Sequence, residues 1–423
     1  MIFTLHCFEA TTLLVIFGTN TSCTKLKFFT HKTLRTHTLL FALGLVLVSA
    51  TKLRLAALSV GIGEAVLLVL TLVVIAKKLF QKNIFVGRKS GVFGIFILIS
   101  VGLLFAGTLT ALLRGVWRYD LFLHDGLALI FTFVSVFFNW NEVQNQRQVA
   151  VFGMLLVLLF GLLSFIYVAF YFASTRTDAF DNLVYDEFRW RFVGFSQNPN
   201  QVALFLCPLP FLIICQKYPN LKRGLSALLK ITMLACVGQL GRLTQSDALY
   251  LSWLVGAVAW AFHWYFGVKT IIPKQLLKIA LFIGFAALGY GGMRAYFQEK
   301  FDHDQQGFER LIRWQYGLEA LGRSVLWGLG PGAFSGTLRA FEGEEAHNSF
   351  IDWADATGIL GLGGLLMFVG IILKKCWSGH QPVLWAAAVA LLVFSSFHYV
   401  LRQPVFWVYL LLFWSIEQPV RKL

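Results

Sequence analysis

Apolar residues along this chain run in long unbroken blocks, and polar residues gather in the stretches between them. Crossing the hydrocarbon takes about 20 apolar residues as a helix, because only helices or closed barrels satisfy the backbone in lipid. The blocks are continuous and do not alternate, which excludes a barrel. The clearest predicted spans cover 56–76, 91–113, 121–138, 149–172, 202–215, 230–241, 248–266, 277–293, 350–373, 383–400 and 405–416. Before residue 56 the pattern weakens: 1–20 carries Glu9 and 38–50 is short, leaving room for one or two more. The expectation is an all-α polytopic membrane helix bundle of about 12 transmembrane helices, one integral membrane domain over residues 1–423.

Two long polar stretches interrupt the pattern, at 174–200 and 294–348. Loops beyond roughly 15 residues are functional or disordered more often than not. The second is rich in Trp, Phe, Leu and Gly, which argues for folding. Within it Phe308, Leu311, Ile312, Leu318, Leu321 and Val325 recur at helical spacing, with Glu309, Arg313 and Arg323 opposite. This predicts a partly helical capping loop whose amphipathic helix lies on the bundle or in the membrane interface.

Composition agrees: of 423 residues, 57% are hydrophobic and 13% charged, where a soluble domain averages about 25% charged. The net charge of +15 would suggest nucleic acid in a soluble protein. Here basic residues anchor loops beside anionic lipid, so no nucleic-acid partner is expected. Lysine-rich clusters at 25–35, 77–89, 217–223, 269–278, 374–375 and 421–422 fall on alternate loops, apart from Lys52 and Arg54. That places them, and the C-terminus, in the cytoplasm, with loops 174–200 and 294–348 on the opposite side. The six cysteines lie in or beside apolar runs, so no external disulfide framework is expected.

The two sides differ in the kind of positive charge. From Gly91 onward the outer basic residues are Arg114, Arg118, Arg176, Arg189, Arg191, Arg242, Arg294, Arg310, Arg313, Arg323, Arg339 and Arg402, with Lys300 the exception. A guanidinium grips phosphate in a two-pronged fork and stays charged, whereas lysine acts as a point charge. One arginine alone could pair with a loop carboxylate; the set points to an anionic phosphate ligand. His347 closes the long loop after Glu342, Glu344 and Glu345; it could be structural, or a base, and any of the three glutamates could be the base instead. Asn198-Pro199-Asn200 follows Arg189 and Arg191 and suits a turn with amides facing a ligand. Gly328-Leu329-Gly330-Pro331-Gly332 reads as loop punctuation ahead of a phosphate cradle.

The run RLIRWQYGLEALGRSVLWGLGPGAFSG, then AHNSFIDWADATGILGL, resembles the bacterial O-antigen polymerase and O-antigen ligase superfamily. Its signature is a His-Asn pair, nine residues, then G-x-x-G; here His347-Asn348 precedes Gly358-Ile359-Leu360-Gly361 at that spacing. FSQNPNQVALF matches a further block, and the resemblance spans about residues 185–375 in ordered pieces. It implies a metal-independent glycosyltransferase of the inner membrane with a periplasmic site. Such an enzyme moves a glycan from an undecaprenyl-diphosphate-linked donor to an acceptor glycan or lipid A core, sometimes with a chain-length regulator as partner. Carried over, His347 is the catalytic base and Arg310, with Arg191 or Arg189, binds the diphosphate. Arg313, Asn198, Asn200 and Asn348 are further candidate ligands. Ligases commonly carry an arginine after a T-Q-S-like stretch; here Asp247 follows Thr244-Gln245-Ser246, and Arg242 lies about one turn away. Leu362 follows the G-x-x-G where the ligase pattern prefers Gly, Thr or Tyr. Both departures favour a polymerase, with a ligase as alternative and a polyprenyl-lipid flippase or transporter more distant.

Overall fold

The computed structural model describes residues 36–55, 60–80, 88–143, 146–174, 191–218, 221–267, 305–379 and 381–416. Over these the chain is a helix bundle: α1 (Thr36–Val48), α2 (Ile62–Phe80), α3 (Arg88–Leu113), α4 (Tyr119–Asn141) and α5 (Gln146–Ser174). It continues with α6 (Pro199–Leu206), α7 (Leu209–Cys215), α8 (Arg223–Thr244) and α9 (Asp247–Gly267). The rest is α10 (Gln305–Arg323), α11 (Ser349–Ser378), α12 (Pro382–Ser395) and α13 (Pro404–Ser415). Five of these, α3, α4, α5, α8 and α11, are long and apolar enough to cross a membrane. The expected span at 277–293 lies outside the described residues.

Three predicted runs take a different form. The run expected from 56 begins as an antiparallel pair of two-residue strands, β1 (Arg54–Leu55) and β2 (Val60–Gly61), with helix only from Ile62. The run at 202–215 breaks into α6 and α7 at Cys207-Pro208, since proline supplies no N–H to continue the ladder. The run at 383–400 is helical only to Ser395.

Aromatic rings fill the centre. Phe96 packs on Phe368 at 5.1 Å and on Trp407 at 5.4 Å, and Phe133 meets Trp407 at 5.3 Å. Trp353 and Trp407 are fully buried. Between helices in lipid such contacts stabilise by close packing, since lipid tails are as apolar as the side chains. The outward rows of α2 and α3, including Val69, Leu72, Ile95 and Leu98, are exposed and apolar, as a lipid-facing surface must be.

The bundle has two chemically distinct ends. At one, Lys77 pairs with Glu142 at 2.6 Å, joining the C-terminal ends of α2 and α4, and Lys375 bonds the Trp414 carbonyl between α11 and α13. At the other, Arg402 pairs with Asp125 near the start of α4, and Ser349 at the start of α11 holds the α12–α13 turn. Lys52 and Arg54 belong to this second end: the Lys52 amide bonds the Phe195 carbonyl, and Arg54 bonds Gln197 at 3.0 Å.

Candidate functional site

The start of α11 sets the geometry. Asn348 is its N-cap, accepting from the amides of Phe350 at 3.0 Å and Ile351 at 3.3 Å. Asp352 reaches back and accepts from the amides of Ala346 at 2.7 Å and Asn348 at 3.1 Å. The two side chains thus satisfy amides at and before the helix start, as a capping box does. Asn348, expected as a ligand, spends its carbonyl oxygen on this cap. The residue before it, His347, is forced to φ 55°, a left-handed conformation rare outside glycine.

Three arginines surround it. Burial pulls the His347 imidazole down to about 4, and the charges of Arg313, Arg310 and Arg402 add to the effect, although 40% of its side chain stays exposed. It is therefore neutral at physiological pH. Arg310 and Arg313 come from α10; Arg313 pairs with Glu344 at 3.1 Å. Arg402 is wedged between Asp125 and Glu345 and stacks over the Tyr399 ring at 4.8 Å. The glutamates weighed as bases are all engaged. Glu342 accepts from the amides of Thr337 and Leu338, Glu344 pairs with Arg313, and Glu345 pairs with Arg402. Glu345 also lies 3.7 Å from His347 Nδ1, a distance that biases ring orientation without a close hydrogen bond.

The cap is locked into a break in α11. Gly358 adopts φ 69°, ψ −175°, a region only glycine occupies at low cost. Carbonyls freed by the break accept from the cap: Asp355 O from Leu329 N at 2.7 Å and Ala356 O from Gly330 N at 2.9 Å. In return the Ile359 amide bonds the Val325 carbonyl at 2.8 Å. Gly361 completes the motif, its carbonyl accepting from the buried Trp353 indole at 3.0 Å. The G-x-x-G is thus a docking notch, and the Gly328–Gly332 run is the segment that docks.

A second group sits at the same end. Arg191 Nε bonds the Thr244 carbonyl at the C-terminal end of α8 at 2.8 Å. Asn198 caps α6 through the Asn200 amide at 2.9 Å, and Asn200 accepts from Ser246 at 3.4 Å. Asn198, a candidate ligand, thus also acts as a helix cap. Arg242 is exposed on the last turn of α8, and neither His347 nor His398 feels its charge as a leading influence. Arg189 lies outside the described residues.

Sequence reasoning missed His398, Trp314 and Asp355. His398 is buried, with Nε2 unpaired, and its imidazole is held well below the usual range by burial and by the charges of Arg310, His347 and Arg191. It ties Arg191 electrostatically to the His347 cluster. Trp314 Nε1 and both carboxylate oxygens of Asp355 are likewise buried without a hydrogen-bond partner. His398 was hidden by its place in an apolar run; the polar sequence His398-Tyr399…Arg402-Gln403-Pro404 was the signal that a turn lay there. Asp352 and Asp355, two acids in a predicted span, were another such signal.

No family model matches the chain, and no curated protein matches it.

Proposed function

We propose that the chain is an inner-membrane glycosyltransferase, acting at the periplasmic face on an undecaprenyl-diphosphate-linked glycan. It is most simply a repeat-unit polymerase. The observation that carries this reading is a neutral histidine on strained backbone amid Arg310, Arg313 and Arg402, while Glu342 and Glu344 are held by other partners and Glu345 is paired with Arg402. The chemistry needs those parts. An acceptor hydroxyl attacks the anomeric carbon, the bond from that carbon to the diphosphate oxygen breaks, and undecaprenyl diphosphate leaves with the electron pair. The hydroxyl proton passes to His347. Arginine charge stabilises the leaving diphosphate as the bond breaks. Arg310 is the foremost clamp, together with Arg191, since the charges of both reach the same buried residue, His398. Bound diphosphate also cancels part of the arginine field at His347 and makes the imidazole a better base when substrate arrives.

The test is the surface-glycan profile of a deletion strain complemented with wild type or His347→Ala. Single repeat units on lipid A core, rescued by wild type alone, support a polymerase. Long glycan left on the polyprenyl carrier transfers the reading to a ligase. Loss of all periplasmic glycan, or full rescue by His347→Ala, overturns it.

A further inference from the structure

We infer that His398 and Trp314 form the acceptor subsite, binding a hydroxyl of a neutral sugar; this rests on the glycosyltransferase reading above. Each presents a buried ring nitrogen with no hydrogen-bond partner, His398 Nε2 and Trp314 Nε1. Buried polar groups are paired in nearly all folded proteins, so two orphans on neighbouring elements call for something to fill the valence.

They belong to neighbouring elements, and the charge of Arg310, one helical turn from Trp314, reaches His398. The Trp314 ring lies 6.0 Å from that of Phe397, the residue before His398. Both adjoin the proposed centre: Trp314 is one turn along α10 from Arg310, and His398 is tied to α11 two residues past His347. That tie does not involve the His398 side chain. Ser349 Oγ donates to the His398 carbonyl at 2.7 Å and accepts from the Val400 amide at 2.9 Å. The imidazole packs on Phe394 at 4.7 Å. Backbone and ring are therefore fixed in advance, with the nitrogen left over.

The chemistry of the pair selects the ligand. An indole N–H only donates, and a neutral imidazole nitrogen can accept, so together they match a hydroxyl, which does both. An anion would find one weak donor here and arginines next door. Division of the site follows: arginines for the diphosphate, and the two uncharged rings for the incoming sugar.

The experiment uses the full-length chain in lipid nanodiscs. Lipid-linked glycans extracted from cells lacking this chain serve as donor and acceptor, and lipid A core from the same cells serves as second acceptor. His398→Phe and Trp314→Phe keep ring volume and remove the nitrogen. Each should raise the acceptor KM on the order of tenfold, with a smaller change in kcat, the loss of one neutral hydrogen bond. The melting temperature should hold or rise, because an unpaired buried nitrogen has gone. Inhibition by undecaprenyl diphosphate should not change. His398→Gln, which restores an acceptor, should recover part of the loss. Wild-type transfer with unchanged acceptor KM in both variants overturns this inference alone. So does a lowered melting temperature without a KM effect, or an equal loss of undecaprenyl diphosphate affinity. No transfer by wild type to either acceptor overturns the glycosyltransferase reading and this inference with it.

Discussion

At the scale of single residues, the position of His347 on the pH axis is the most consequential feature. Its imidazole sits at about 4 in the folded chain against an ordinary 6.5. Between those values the unfolded chain binds more protons than the folded one, so stability rises with pH across the window and falls away as pH drops through it. His398, depressed by the same causes, acts in the same direction. For activity, the free enzyme carries a neutral base down to about pH 4, so the acid limb of kcat/KM should fall near there. The limb of kcat reports the loaded enzyme and should lie higher, because bound diphosphate offsets Arg310 and Arg313. Replacing Arg310 with Gln should raise the kcat/KM limb. A limb near 6.5 in both profiles, unmoved by Arg310→Gln, would remove His347 as the base. His347 was legible in the sequence because it stands in a polar loop behind three glutamates. His398 was not, because an apolar run absorbs a histidine without trace until the backbone shows where the helix stops.

At the scale of elements, two residues of the His-Asn and G-x-x-G pattern turn out to shape backbone. Asn348 caps α11, so Asn348→Ala should cost about 1 kcal/mol of stability, while Asn348→Asp or Asn348→Ser, which also cap, should retain stability and transfer. Loss of transfer in a stable Asn348→Ser chain would make Asn348 a ligand as well as a cap. Gly358 is the stricter case. A Cβ there would lie 2.0 Å from the Leu326 carbonyl oxygen, on backbone already at φ 69°. Gly358→Ala should therefore cost at least about 2 kcal/mol and loosen the docking of residues 325–330. Thermal melts, with protease sensitivity of the cap, measure both; a melt equal to wild type would mean the break is not needed. The helix α10 was visible from its spacing, and its facing is the finding. Phe308, Leu311 and Leu318 are exposed, while Gly317 and Ala320 pack inward and Arg310 and Arg313 are partly covered. An interfacial helix with its apolar face toward lipid accounts for that orientation. Periodicity gave the stripe but left its direction open, since a lipid surface and a protein core accept the same side chains.

At the scale of the whole molecule, the bundle has two chemically distinct ends, with the clusters at Lys77 and Lys375 on one of them; those at 25–35, 269–278 and 421–422 lie outside the described residues. Lys77, Glu142, Lys375 and Trp414 meet at one end, and Asp125, Glu345, His347, His398 and Arg402 at the other. The membrane character was plain from unbroken apolar runs. Among the described residues five helices are long and apolar enough to span, because proline at 208, the paired strands 54–55 and 60–61, and the turn after Ser395 divide or shorten runs that look continuous on paper. The division makes orientation testable with residues that both lie at defined ends. Leu338 is 80% exposed in the cap, and Ser378 is exposed at the far end of α11. Positive charge is retained on the cytoplasmic side during insertion, and the end bearing Lys374 and Lys375 is the lysine-rich one. In a chain stripped of its six cysteines, Leu338→Cys should react with an impermeant maleimide in spheroplasts, and Ser378→Cys only after the membrane is opened. Ser378→Cys labelling in sealed spheroplasts, with Leu338→Cys protected, would put the arginine end in the cytoplasm. A periplasmic glycan would then have no access to His347, and the proposed reaction would be excluded on topology alone.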